Sequence, residues 1–289
     1  MSTFQLEVPL RWLDLDAQGH VNNGKVVDLL QEARVDFTLA GPLAHLLGDG
    51  IVVVSHTVEY LGSILFSRRP LRVDLRVVEV RAAQFTIGYD VFDGDRLVVR
   101  ARTVCCVYDF EVGRPTRLGT AERDYLRSIQ EDTDDGLRDI GSWTIGHAAH
   151  VCPVRLRWSD LDSYGHVNNV RFYDFVGEAR VKLMAELLDG ESIRSSTAEP
   201  EHSWLVARQD LRYQSQIEFR TEPIVVRTAI ARAGRTSVTL VQQIADPDDG
   251  TVFSTSTTVL VHGYADLRPA PLPDELRAAA ERWPAVATG

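Results

Sequence analysis

One acidic stretch occurs twice in this chain, and that duplication limits what the chain can fold into. Arg11 to Asn23 reads RWLDLDAQGHVNN and Arg157 to Asn169 reads RWSDLDSYGHVNN, identical at ten of thirteen positions and 146 residues apart from Asp16 to Asp162. In a chain of 289 residues that spacing is about half the length. It implies two equivalent units, each large enough to bury its own core. The polar run Asp132-Thr133-Asp134-Asp135-Gly136 marks the boundary. We therefore expect a first domain over 1–135 and a second over 146–289, with the stretch between Glu131 and Ala149 as a linker.

The flanks of the two copies match as well. Leu6, Val8, Leu10 and Trp12 alternate with Gln5, Glu7, Pro9 and Arg11, the period of a half-buried strand. Extended to its end, the alternation turns Trp12, and likewise Trp158, into the core. After Asn22 and Asn23, Val26, Leu30, Ala33, Phe37 and Ala40 recur at helical spacing. Either Asn can cap that helix, and Gly41-Pro42 stops it. Phe172, Val176, Ala179 and Leu183 repeat the stripe in the second half, ending at Gly190.

Strand-like runs follow each helix: Val52 to Tyr60, Leu71 to Val80, Phe85 to Phe92 and Arg96 to Tyr108 in the first half. Leu205 to Tyr213, Ile224 to Arg232, Ser237 to Ala245 and Thr251 to Val261 do so in the second. Asp93-Gly94-Asp95 and Asp246 to Gly250 supply hairpin turns. Thr120 to Asp132 and Leu272 to Trp283 have helical patterning at the two ends. The fold class is α+β: in each half, one long helix on a mainly antiparallel sheet. Two such units in one chain imply sheets placed side by side, the fused counterpart of a symmetric dimer.

Composition excludes several classes. A net charge of −10 argues against nucleic acid and anionic membrane surfaces as main partners. The opening MSTFQLEVPL has no signal-like apolar run, and no stretch approaches the ~20 apolar residues of a membrane helix, so a cytoplasmic location is expected. Cys105, Cys106 and Cys152 lack metal-ligand spacing and read as buried free thiols. Neither a Gly-rich phosphate loop nor a convergent metal-ligand set is present, so no cofactor and no metal are expected.

DLDAQGHVNN and DLDSYGHVNN, each opening a helix that carries an EAR segment, resemble the loop of hotdog-fold acyl-CoA thioesterases of the 4-hydroxybenzoyl-CoA thioesterase type. The resemblance covers nearly the whole chain as two tandem hotdog units. The loop is also similar to the acidic HVNN loop of plant acyl-ACP thioesterases, which has an Asn two residues before the His where this chain has Gln18 and Tyr164. The resemblance implies hydrolysis of an acyl-CoA, with acyl-ACP as the other carrier. It assigns the catalytic carboxylate to Asp16 and Asp162 and the oxyanion donor to the backbone N–H of Asn23 and Asn169. It further implies that each pocket is closed by both halves, an intrachain pseudo-dimer, with further self-association left open.

Elementary chemistry agrees with that assignment. Thioester hydrolysis needs a carboxylate that attacks the carbonyl or activates water, and donors for the oxyanion that develops. Unpaired amides at a helix start supply such donors. Gly19 and Gly165 serve either a special backbone conformation or a close approach. His20 and His166 stand to polarise the carbonyl, to protonate the departing thiolate or to brace the loop. Asp14 and Asp160 read as braces. Glu32 and Glu178 read as solvated helix residues. Arg68-Arg69 and Arg232 with Arg235 are candidates for a basic rim facing CoA phosphates. A hydratase or dehydratase, and a binder of acyl ligands without catalysis, remain the competing functions.

Overall fold

The computed structural model describes residues 4–16, 19–188, 202–264 and 268–288. It divides into two compact units, Met1–Arg138 and Asp139–Gly289. In the first unit β1 (Phe4–Val8) leads through a 3-10 turn (Trp12–Asp14) into α1 (Asn23–Leu39) and the short α2 (Leu46–Asp49). Then come β2 (Ile51–Tyr60), β3 (Leu71–Val80), β4 (Gln84–Asp93), β5 (Arg96–Asp109), the two-residue β6 (Arg114–Pro115) and α3 (Thr120–Ser128). The sheet order is β1-β3-β4-β5-β2, every neighbour antiparallel, with β6 paired to β5.

The second unit opens with β7 (Trp143–Ile145) and repeats the plan. It has β8 (His150–Val154), a 3-10 turn (Trp158–Asp160), α4 (Arg171–Leu187), β9 (His202–Tyr213), β10 (Ile224–Ala233), β11 (Ser237–Ala245), β12 (Val252–Tyr264), α5 (Asp274–Arg282) and β13 (Ala285–Ala287). The order β8-β10-β11-β12-β9 is that of the first unit strand for strand. Equivalent residues lie 146 apart through the loop and the start of the helix, and 153 apart from β2 to β9, as from Tyr60 to Tyr213.

The helix stripes are buried as their period requires. Val26, Leu30, Ala33 and Phe37 of α1, and Phe172, Val176, Ala179 and Leu183 of α4, are all in the core. Phe37 meets Phe4 of β1 edge to face at 5.1 Å, fixing α1 against the strand that feeds the loop. Ala40 is the exposed C-cap residue of α1. Gly190 lies outside the described residues. The Asp93-Gly94-Asp95 hairpin forms with Gly94 at φ +64°, which only a residue without a Cβ adopts easily. All three cysteines are free and buried, and burial pushes the Cys105 thiol up to about 11. No helix among the described residues is long and apolar enough to cross a membrane.

Two expectations are overturned. Trp12 and Trp158 are not core residues, being 71% and 74% exposed. β1 ends at Val8 and β8 at the equivalent Val154, and in both copies the chain then coils into a 3-10 turn, which erases the alternation. The linker is not without structure either. Within it β7 pairs with β13 at the far end of the second unit, and Asp135 binds Arg102 of β5.

Between helix and sheet each unit buries polar side chains at equivalent positions. His56 of β2 faces Thr103 of β5 in register, with its Nδ1 2.9 Å from the Thr103 hydroxyl. Gln209 and Thr258 hold those places in the second unit. Beside them the Gln242 side-chain amide donates to the Val176 carbonyl of α4 at 2.9 Å. Complete burial, together with the nearby Arg34 guanidinium, lowers the His56 pKa well below its ordinary value. The unfolded chain takes up a proton near pH 6.5 that the folded chain refuses, so stability is full above that pH and falls below it. Between pH 7.5 and 5.5 this one group is expected to lower the stability progressively. Urea unfolding of His56→Gln, the residue found at the equivalent place, is expected to lose that component. Parallel pH dependences for variant and wild type would contradict it.

Candidate active site

Each acidic loop is a closed hydrogen-bonded unit, and its matched hydrogen-bond distances agree between the copies to within 0.3 Å. Asp14 accepts from the Arg11 N–H at 2.6 Å and Asp160 from the Arg157 N–H at 2.7 Å. The Asp14 and Asp160 carbonyls accept from Asn22 and Asn168, both at 2.8 Å. These carboxylates brace the turn, as short acidic side chains beside free amides do.

Two residues on, Asp16 and Asp162 start the tight reversal. The Asp16 amide donates to the His20 carbonyl at 2.7 Å, and the Gly19 amide returns to the Asp16 carbonyl at 3.0 Å; the second copy gives 2.8 and 3.1 Å. The carboxylate oxygen Oδ1 accepts from the backbone N–H of His20 at 3.2 Å and, in the second copy, of His166 at 3.3 Å. Asp162 Oδ1 also accepts from the Tyr164 N–H at 2.9 Å. Gln18, the counterpart of Tyr164, lies outside the described residues. The Asp16 and Asp162 carboxylates are thus each oriented by the loop that carries them.

Gly19 and Gly165 have φ of +78° and +82°, and an added Cβ meets nothing within 4 Å at either. Of the two roles open to them, backbone conformation is the one used. Gly19→Ala is expected to cost about 1–2 kcal/mol through left-handed strain alone. Gly19→Asn, which tolerates that region better, is expected to recover part of it. Chemical denaturation measures both, and a neutral Ala would refute the backbone account.

The loop then delivers the chain to the helix. Val21 donates to the Ile64 carbonyl at 2.9 Å and Val167 to Ile217 at 2.8 Å, tying loop to sheet. Asn22 is the N-cap, its side chain accepting from Gly24 N–H at 2.8 Å. Asn23 is the first residue of α1, where a helix offers its amide no internal acceptor. In the second copy Asn168 accepts from Val170 at 3.0 Å, and α4 begins at Arg171, so Asn169 sits in the turn just before it. Tyr60 and Tyr213, at the ends of β2 and β9, donate their hydroxyls to the carbonyls of Asn23 and Asn169 at 3.1 and 2.8 Å. Sequence reasoning missed these tyrosines. The signal was there, since they match once the spacing is allowed to change from 146 to 153.

Structure therefore gathers Asp16, Gly19, His20 and Asn23 in one loop and helix start, and Asp162, Gly165, His166 and Asn169 in another. Glu32 is exposed, and Glu178 pairs with Lys182 at 2.9 Å. Of the basic rim, Arg69 pairs with Asp93 at 3.0 Å. An open groove of about 900 Å³ in the second unit runs along α4 past Arg155, Arg157 and Asp160. Neither Asp162 nor His166 lines it. Of the cations that line it, Arg171 and Lys182 are paired with Asp174 and Glu178.

Comparison with known proteins places this geometry. Three solved structures share the fold at 15% identity. An oleoyl thioesterase assignment from Lactobacillus plantarum aligns at a TM-score of 0.70 over 93% of this chain and 96% of its own. The 12:0-ACP thioesterase of Umbellularia californica gives 0.67 over 93% and 98%. An acyl-ACP thioesterase from Bacteroides thetaiotaomicron gives 0.65 over 89% and 96%. The common plan is the hotdog fold, present here as two repeated segments. Comparison with curated proteins gives no match. The profile of one family, described as the thioesterase-like superfamily, matches residues 10–122 and 156–280, each match taking in one acidic loop with the helix and strands behind it. By that match, which spans well over half its length, the chain belongs to the thioesterase-like superfamily.

Proposed function

We propose that the chain hydrolyses an acyl-CoA thioester to the free acid and CoA, using Asp16 and Asp162. The observation that carries this reading is the loop built twice: a carboxylate held by backbone amides, a few residues before a helix N-terminus. Asp attacks the thioester carbonyl or takes a proton from the attacking water. Negative charge then gathers on the carbonyl oxygen, where the Asn23 or Asn169 N–H stabilises it. Collapse of that intermediate expels the CoA thiolate, giving the free acid directly where water attacked, or an acyl-Asp anhydride that water then hydrolyses where Asp attacked. His20 or His166 is placed on the same loop to orient the carbonyl or protonate the sulfur. Tyr60 and Tyr213 anchor the peptide that follows each donor, through the Asn23 and Asn169 carbonyls.

Thiol release over a panel of acyl-CoA and acyl-ACP substrates tests the proposal. The expected result is free CoA and acid in equal amounts. Loss of a double bond without free thiol identifies a hydratase instead, and binding without either identifies a carrier.

A further inference from the structure

The two loops share one backbone yet present opposite surfaces. In the first unit Trp12 and Leu13, at the tip of the 3-10 turn, are 71% and 84% exposed. Leu61, Leu65 and Phe66, in the segment after β2, are exposed as well. Trp12 meets Phe66 edge to face at 5.4 Å, and Leu65 forms an isolated bridge with His20 of the acidic loop. Arg11, Arg68 and Arg69 are exposed around this apolar tip. Neither Arg11 nor Arg68 has a carboxylate partner among the described residues.

The second unit keeps the scaffold. Trp158 meets Phe219 at 5.3 Å, and His166 bridges Glu218 as His20 bridges Leu65. What changes is the surface: Leu13, Leu61 and Leu65 become Ser159, Gln214 and Glu218, while Arg68 and Arg69 become Thr221 and Glu222. All five exchanges replace an apolar or basic residue by a polar or acidic one. Since the same backbone forms with either set, folding does not require the leucines and arginines. Apart from Arg69, which pairs with Asp93, these side chains are spent on the surface and not on the fold.

We propose that the apolar tip of the first unit, with its arginine fringe, docks on an anionic lipid surface. The tip is convex enough to leave Leu13 84% exposed, which suits insertion into a deformable surface better than fit to a rigid partner. Trp, Phe and Leu are the side chains that enter the headgroup boundary, and Arg adds attraction to anionic lipid. The net charge of −10 resists such a surface at long range, so contact is brief and salt-sensitive and rests on the local patch. This docking does not depend on the reaction proposed above, although it would bring the Asp16 loop to the water-lipid boundary.

Flotation of the full chain with vesicles tests it, comparing phosphatidylcholine containing phosphatidylglycerol with phosphatidylcholine alone. Wild type is expected to float with the anionic vesicles and to release in high salt. A variant carrying Leu13→Ser, Leu65→Glu and Arg68→Thr, the second unit's residues, is expected to bind at least about tenfold more weakly at an unchanged thermal midpoint. If that variant fails to fold, Leu13→Ser with Arg68→Thr is read in its place. Absence of wild-type flotation, equal binding to neutral vesicles, or binding unaffected by the exchange overturns the proposal. So does a dimer in solution that dissociates on the exchange, since the patch would then be covered by a second copy.

Discussion

Replacing Asp16 and Asp162 together by Asn is expected to lower kcat/KM for thioester hydrolysis by at least a few hundredfold, the scale of a lost general base or nucleophile. The substitution isolates charge from shape. An Asn oxygen still accepts from the His20 and His166 amides, at present 3.2 and 3.3 Å from Oδ1. The loop backbone is closed independently by the Asp16-to-His20 and Gly19-to-Asp16 bonds. The thermal midpoint is therefore expected to move by no more than about 2 °C. If the two loops work independently, each single variant keeps part of the activity, and the two parts sum to the wild-type rate. Near wild-type turnover in the double variant would remove the carboxylate assignment whatever the substrate.

Much of this site was legible because its chemistry is local in sequence. Asp14, Asp16, Gly19 and Asn22 act within a few residues of themselves, through Asx turns, a left-handed glycine and an N-cap. Such interactions depend on order along the chain, so the repeated string predicted them. The helices and antiparallel strands were legible from period alone. What escaped was non-local or broke a period. The pairing of β7 with β13 joins the linker to the far end of the second unit, and nothing in three residues announces a partner so distant. The Tyr60 and Tyr213 hydroxyls cross from a strand end to a helix start, 37 and 44 residues away in sequence. The buried polar layer of His56, Thr103, Gln209 and Gln242 sits at positions where alternation expects aliphatic residues. Its polar atoms are satisfied across strands and against the helix, contacts that only register reveals.

The two large aromatic residues at the opposite ends of β1's influence are expected to behave in opposite ways. Phe37→Ala is expected to destabilise the chain by about 3–5 kcal/mol, the usual cost of truncating a fully buried aromatic ring. Phe37 has no exposure, and its ring is the edge-to-face partner of Phe4, so Ala leaves a cavity and frees the first strand from the helix. β1 is held to the rest of its unit by the β3 ladder and by this packing. Loosening it also loosens the lead into the Asp14 turn, and activity is expected to fall with stability on heating. Trp12→Ala, by contrast, is expected to stay within about 0.5 kcal/mol of wild type, as exposed substitutions do. The larger side chain contributes less, because 71% of it already faces water and its ring partner Phe66 is itself exposed. Thermal unfolding of the pair decides the matter. Equal losses at the two positions would mean that the strand's alternation does continue past Pro9 and that Trp12 belongs to the core after all.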